Sequence, residues 1–362
     1  GTSLCRRKKT CPFSKPIQKD INVLVVNVEG QVFAGGKSSN SAYVRCLRTP
    51  ASKTWYTMES GIRTSVNAII YDSTGKIYVG GKFSEIAGYG ARNIICWDGS
   101  QWRPLGAGII GEAVYSLALD RDGMLYAGGI FDTAGNVSAN SIALWDGNAW
   151  HSLGSGIMSK QNTGDVRAIA IGDSGILLAG GAFDSAGSVA AKNIAQWDGK
   201  NWSSLGPGIA EPKVFSITYA GNESFYVGGL FSYIDTVATE NLAKWDGKNW
   251  SVFPKGPSGI IFATALDSKG NLYAGGLFRT VDGITARQMA KWNGTAWAPV
   301  GSGITFHVND QVHSIAIGKN DEVYCGGSLT GNINRNIARF EDPRWSKLGT
   351  GTNAQVNVIA LC

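Results

Sequence analysis

Histidine is nearly missing: three residues in 362, at positions 151, 307 and 313, with no tight spacing to cysteine. That argues against a multi-histidine metal centre, which needs several imidazoles or thiolates at short spacings. Proline is scarce, with ten residues, and no Gly-X-Y period exists. Collagen-like and low-complexity linker architectures are therefore excluded. No apolar run reaches the ~18 residues of a membrane-crossing helix, so no transmembrane segment is expected. No stretch sustains an apolar period of 3.6 residues, so essentially no helix is expected. Phosphate-cradling loops are missing as well, because no Gly-x-x-x-x-Gly-Lys follows any glycine-rich turn. No cofactor is expected.

Charge is low at 17% and unevenly placed. Arg6, Arg7, Lys8, Lys9, Lys15 and Lys19 face only Asp20 in residues 1–20, so that segment holds five of the six net positive charges. The body, 21–362, is almost neutral. A nucleic-acid-binding body would spread basic residues over one face, so no nucleic-acid partner is expected for it. The basic segment reads as a solvated tail, with an anion-binding arm as the sharper alternative.

What is abundant is glycine, 49 residues, and tryptophan, 12. Both recur on a fixed spacing. A hydrophobic stretch ends in Gly-Gly at 35–36, 80–81, 128–129, 180–181, 228–229, 275–276 and 326–327. Each pair is followed by a tryptophan: Trp55, Trp102, Trp150, Trp202, Trp250, Trp297 and Trp345. The period, about 48 residues, falls in the range of four-stranded propeller blades.

One unit reads as four short strands. In the third repeat they are Val114 to Leu119, a strand ending at Gly128-Gly129, Ile142 to Trp145, and a strand opening at Trp150. A loop of about ten residues joins the second and third strands. Asp146-Gly147 supplies the hairpin turn before the fourth, because Asp-Gly tolerates the positive φ such turns use. The Gly pairs are expected where neighbouring inner strands crowd near an axis and side chains do not fit. Trp97, Trp145, Trp197, Trp245 and Trp292 close third strands and the other seven open fourth strands. Such regular indoles are expected to fill space between sheets rather than form exposed shelves for sugars.

The order Tyr-x-Gly-Gly followed by Trp-Asp-Gly-x-x-Trp resembles a kelch-type blade. The unit Asn193-Ile194-Ala195-Gln196-Trp197-Asp198-Gly199-Lys200-Asn201-Trp202 is similar to units of fungal cortical-polarity marker proteins and related bacterial surface proteins. The resemblance runs over residues 21–362. It implies an all-β fold, a seven-bladed β-propeller behind a basic, cysteine-containing tail (1–20), and a place at the cell surface.

The C-terminal Val356 to Leu361 repeats the pattern of a first strand, although Ile21 to Val26 already supplies one for the first repeat. Either it closes the ring against the first repeat or the chain is cut from a longer array. Six cysteines permit many pairings. A bridge from Cys5 or Cys11 to Cys362 would clasp the ends together; a local Cys5–Cys11 loop or free thiols are the alternatives. Asn-x-Ser/Thr sequons at Asn136, Asn201, Asn222, Asn249 and Asn293 point toward an extracellular setting.

Binding residues concentrate on variable loops carried by a rigid scaffold. Here the 1–2 and 3–4 turns are short and uniform, whereas the 2–3 and 4–1 loops vary. Those loops share one face, and ligand contacts are expected there. The candidates are Arg63, Glu112, Asp165, Glu211, Phe306, His307 and Asp310 in 4–1 loops, with Tyr89, Tyr233, Arg279 and Arg287 in 2–3 loops. His313, second in its strand, is expected to pack or line a channel. No first strand offers the paired carboxylates of a propeller glycosidase. Asp120, Asp173 and Asp267 fall in turns, where Asp is expected for turn chemistry. The leading expectation is a non-catalytic interaction scaffold for a protein or cell-surface partner. A carbohydrate-binding propeller comes second, and an enzyme with a centre built from unrepeated loop residues third.

Overall fold

The computed structural model describes residues 20–361 apart from 27–31, 38–41, 48–55, 63–64, 87, 161–162, 211–212, 235–236, 254, 302–309, 330–335, 342–343 and 348–357. Among them there is no helix. Each repeat becomes one antiparallel sheet with its four main strands in chain order, giving seven sheets of four or five strands among the described residues. In the third repeat the strands are Ile109–Leu119, Leu125–Ala134, Ile142–Trp145 and Trp150–Ser152. The third strand has the bounds read from the sequence.

The turn at Asp146-Gly147 divides its labour differently from expectation. Only the glycine takes a positive φ, 96°. The Asp146 carboxylate instead accepts the N–H groups of Asn148 and Ala149 at 2.8 and 2.7 Å. Asp98, Asp198 and Asp246 cap the same turn in their sheets, and Asn293 does so in the sixth. The 2–3 connections, expected as plain loops, fold into two-residue ladders. Glu85–Ile86 pairs with Tyr89–Gly90, Ser185–Ala186 with Val189–Ala190, and Thr280–Val281 with Ile284–Thr285. Gly88, Gly187 and Gly283 at their tips have φ of 79°, 58° and 74°, open to glycine without strain.

The Gly pairs serve two close approaches. Val114 pairs with Gly129 and Ser116 with Gly128, so Tyr115 is an extra residue, a β-bulge, opposite the pair. A Cβ on Gly128 would lie 2.6 Å from Cγ1 of Val166 in the next sheet, which is the crowding expected. A Cβ on Gly129 would run into the Ala113 carbonyl of its own partner strand, where the bulge brings the backbones together. The second reason is not visible in the sequence. The bulge recurs at Asn22, Asn67, Arg167, Phe215, Phe262 and His313.

First strands pack one against the next. The order is Ser65–Tyr71, Ile109–Leu119, Asp165–Ile171, Lys213–Tyr219, Ile260–Leu266 and Gln311–Ile317. Val358–Leu361 then lies between Gln311–Ile317 and Asp20–Val26, and Asp20–Val26 returns to Ser65–Tyr71. The C-terminal strand therefore joins the first sheet, pairing in parallel with Asp20–Val26 from Val23↔Val358 to Val26↔Leu361. This radial arrangement of sheets is a β-propeller. The thiols of the expected Cys5/Cys11–Cys362 clasp lie outside the described residues. Cys96 and Cys325 are buried and unbridged, and burial pushes the Cys96 thiol up to about 12.

The core lies between sheets rather than in one centre. One cluster joins Tyr78, Ile94 and Cys96 of the second sheet to Val114, Leu125 and Trp150 of the third. The next joins Tyr126 and Ile142 to Val166, Leu177 and Trp202. The eleven described tryptophans are buried or partly buried. Within a sheet the two indoles meet at 5.1–5.4 Å, as in Trp97–Trp102 and Trp245–Trp250. Between sheets, the Nε1–H of Trp150, Trp202, Trp250 and Trp345 donates to the carbonyls of Leu105, Leu153, Leu205 and Val300. These tryptophans are masonry, as their regular spacing implied.

Candidate functional site

Two features stand out once the scaffold is set aside: the channel on the axis and the loop face around its mouth.

The bulges create the channel lining. An extra residue re-aims its side chain, and here every described one points to the axis. Asn67, Tyr115, Arg167, Phe215, Phe262 and His313 line a central cavity of about 490 Å³. The lining has two arcs. On the fifth to seventh sheets Phe215 meets Phe262 at 5.4 Å, and Phe262 stacks on His313 at 4.6 Å with 27° between planes. Burial pushes the His313 imidazole down to about 4, so it is neutral near pH 7 and belongs to this apolar arc. On the third and fourth sheets the Arg167 guanidinium lies over the Tyr115 ring at 3.9 Å. Its Nε–H donates to Oδ1 of Asp165 at 2.6 Å. On the second sheet Asn67 donates its Nδ2–H to the Val114 carbonyl at 3.1 Å. Behind the lining, hydroxyls tie sheet to sheet: Ser116 Oγ accepts the Ile169 N–H, and Ser216 Oγ accepts the Thr264 N–H.

The loop face is formed jointly by 2–3 and 4–1 segments. Ile157–Met158, from a 4–1 connection, pairs with Ser185–Ala186 of a 2–3 hairpin, and Pro257 bridges to Val281 in the same way. Seven large apolar residues are 41–49% exposed among the described residues: Tyr89, Ile110, Met158, Leu230, Tyr233, Val237 and Ile284. All seven lie on this face. The opposite face is polar and locked turn to turn. Arg121 pairs with Asp173 at 2.6 Å, the Ser174 N–H donates to Glu223, and the Ser268 N–H donates to Asp321.

The sequence candidates do not converge on one point. Asp165 reaches the channel through Arg167. Asp310 is 2% exposed and belongs to the interior. Glu112 pairs with Lys82 at 3.4 Å on the outside. Tyr89 and Tyr233 are exposed on hairpins of the second and fifth sheets, and Arg279 and Arg287 are exposed on the sixth. Arg63, Glu211, Phe306 and His307 lie outside the described residues. Arg167 and Phe262, central to the channel, were not among the candidates. Their signal was available: next to a Val or Ile present in every repeat, the bulge position changes type from Asn to Tyr, Arg, Phe and His. No group of three or more His, Cys, Asp or Glu able to hold a metal occurs among the described residues. Nor is any described helix long and apolar enough to cross a membrane.

Comparison with known proteins agrees with this architecture. The Rax2 C-terminal beta propeller domain family matches residues 47–213, a little under half of the chain. No curated protein matches the chain. Among solved structures it is similar to the WD40 beta propeller domain of Doa1, at 15% identity and a TM-score of 0.54, over 90% of this chain and 93% of that one. It is similar to virginiamycin B lyase from Staphylococcus aureus, at 11% identity and a TM-score of 0.55, over 85% and 92%. YCF48 bound to D1 peptide gives 13% identity and a TM-score of 0.53, over 86% and 89%. At such identities these likenesses speak for the fold alone, and the fold hosts both a lyase and peptide binding.

Proposed function

We propose that this chain is a non-catalytic interaction scaffold: a seven-bladed, kelch-like propeller that docks a protein or cell-surface partner through its 2–3/4–1 loop face, outside the cell or at its surface. The observation that carries this reading is the one-sided distribution of exposed apolar side chains. Scattered exposed hydrophobics are ordinary, but here every large one among the described residues sits on the same face. The other face is spent on charged, hydrogen-bonded turns. Docking surfaces are depleted of charge at their centre and enriched in Tyr and Met, and Tyr89, Tyr233 and Met158 fit that composition. The match to a family of cell-surface-related propellers supports the setting. The recurring aromatics are consumed by the core, so the repeated sugar shelf of a carbohydrate-binding propeller finds no support.

The test is partner capture from the surface fraction of the source cell by crosslinking. The full chain is compared with Tyr233→Ser/Val237→Ser/Ile284→Ser and with a turn-face control, Lys248→Ser/Lys200→Ser. Partners lost only with the first variant support the reading. Partners unchanged by it, or lost only with the control, move the site off the loop face. Hydrolysis or elimination of a substrate by the purified chain would overturn the non-catalytic assignment.

A further inference from the structure

The channel invites a second, separate reading that does not depend on the docking face. The first strands repeat one pattern: Val or Ile before the bulge, Ala, Ser or Val after it, then mostly branched apolar residues. Packing fixes those flanks, since Val66, Val114, Val166, Val214, Ile261 and Val312 are all completely buried. The bulge residue is free of that constraint, and its identity diverges from sheet to sheet. Variation between fixed, buried neighbours at a position aimed into a cavity is what a binding site on a repeated scaffold looks like.

The lining is also not that of a solvent-filled hole. Phe215 and Phe262 turn aromatic surface toward the channel, where water contact costs about 25 cal/mol per Å² of apolar area. Neutral His313 extends the same stack by one sheet. Facing this arc is a single cation among the described lining residues, Arg167. Arg167 is held in place on two sides, by Asp165 at its Nε and by the Tyr115 ring beneath it. A guanidinium has five N–H donors, so Asp165 does not exhaust it. The adjoining Asp165 carboxylate discourages a dianion, because the described lining residues hold one positive charge and it is already partly balanced. A planar fork of this kind matches one carboxylate. The cavity, about 490 Å³, lies in the roughly 300–1,000 Å³ range of small-molecule sites.

We infer that the axial channel binds a monoanionic aryl carboxylate, its ring against Phe215 and Phe262 and its carboxylate on Arg167. The chemistry is shared by a free aromatic acid and by a chain terminus ending in phenylalanine, and the two are separable by experiment. Calorimetric titration of the full chain with 3-phenylpropionate is the first measurement, expected to give a dissociation constant below about 1 mM. 3-Phenylpropionamide, which keeps the ring and loses the charge, is expected to bind about tenfold or more weakly. Arg167→Gln is expected to lose the same factor for the acid and nothing for the amide. Phe262→Ala weakens both probes. The peptide Gly-Gly-Gly-Phe with a free terminus distinguishes the sources: tighter binding than 3-phenylpropionate assigns the site to a chain end, and exclusion assigns it to a free acid. The triple loop-face variant is expected to bind the acid as the parent does, so failure of the docking reading leaves this one standing. Absence of binding by both acids at millimolar concentration overturns the inference. So does equal affinity for acid and amide, which needs no variant to fold.

Discussion

The indole Nε1–H of Trp150 donates to the main-chain carbonyl of Leu105 at 2.9 Å, across the boundary between the third and second sheets. The same sequence unit, Trp-x-x-Leu or its equivalent, thus supplies a donor to the preceding sheet and an acceptor to the following one. Trp297 is buried in a corresponding place, but its Nε1 has no partner among the described residues.

That contrast makes a stability prediction. Trp150→Phe removes one of the two hydrogen bonds that the Leu105 carbonyl accepts, the Gly108 N–H keeping the other, whereas Trp297→Phe removes a buried donor that has no bond to lose. Both lose similar ring area. The first is expected to be the more destabilising by about 0.5–1.5 kcal/mol, the net value of one hydrogen bond. Urea midpoints of the two variants read it directly, and equal midpoints would contradict the role given to the inter-sheet bond.

The glycine pairs allow a sharper one. Gly128→Ala places a methyl group 2.6 Å from Val166 Cγ1 and 2.7 Å from Ile169 Cδ1. Overpacking of that kind costs about 1–3 kcal/mol. Gly90→Ala, on the loop face, meets nothing within 4 Å and is expected to change stability by less than about 0.5 kcal/mol. Thermal unfolding of the pair ranks them; a tolerated Gly128→Ala would mean the sheets do not approach as described.

His313 gives the fold a pH dependence. Its folded-state pKa is pushed down by burial, from 6.5 to about 4. The unfolded chain therefore binds its proton first. Stability from this group is full above about pH 6.5 and is lost as pH falls toward 4, by at most about 1.4 kcal/mol per unit. His313→Phe keeps the stack on Phe262 and removes the proton. The difference in urea midpoint between parent and variant is expected to move in the variant's favour from pH 7 to 4.5, with the carboxylates common to both cancelling. A difference that stays flat across that range would falsify the buried-neutral assignment.

Four of the five sequons, at Asn201, Asn222, Asn249 and Asn293, lie in 1–2 or 3–4 turns, opposite the apolar face, and their asparagines are exposed. Produced through a secretory pathway, the chain is expected to acquire N-glycans there. Asn293 is the informative position, because its Oδ1 caps the turn at 2.9 Å where other sheets use Asp. Asn293→Asp keeps the cap and removes the acceptor, so it is expected to shed one glycan's mobility shift with no change in melting temperature. No shift on glycosidase treatment of the parent would argue against the extracellular setting.

Much of the fold was legible because its determinants are local or strictly periodic. The Ile142–Trp145 strand is bounded in the sequence by the Gly pair's spacing and by Asp146-Gly147, and it appears with those bounds. The small ladders such as Glu85–Ile86 with Tyr89–Gly90 were not legible, because two-residue strands have no period to read. The candidate site was less legible still. Asp165 was found, but its partner Arg167 was not, because a strand's alternation assigns residue two of six to one side and a bulge changes that assignment.

The sequence alone determined the building block: strands, turns, Gly pairs and packing indoles, all set by spacing along one chain segment. Tertiary structure decided what those blocks enclose. The bulges opposite the Gly pairs turn Arg167 and Phe262 inward, where first strands of successive sheets meet around the axis, and Val358–Leu361 takes its place in parallel beside Asp20–Val26. Both outcomes depend on contacts between residues far apart in the chain, which no local pattern records.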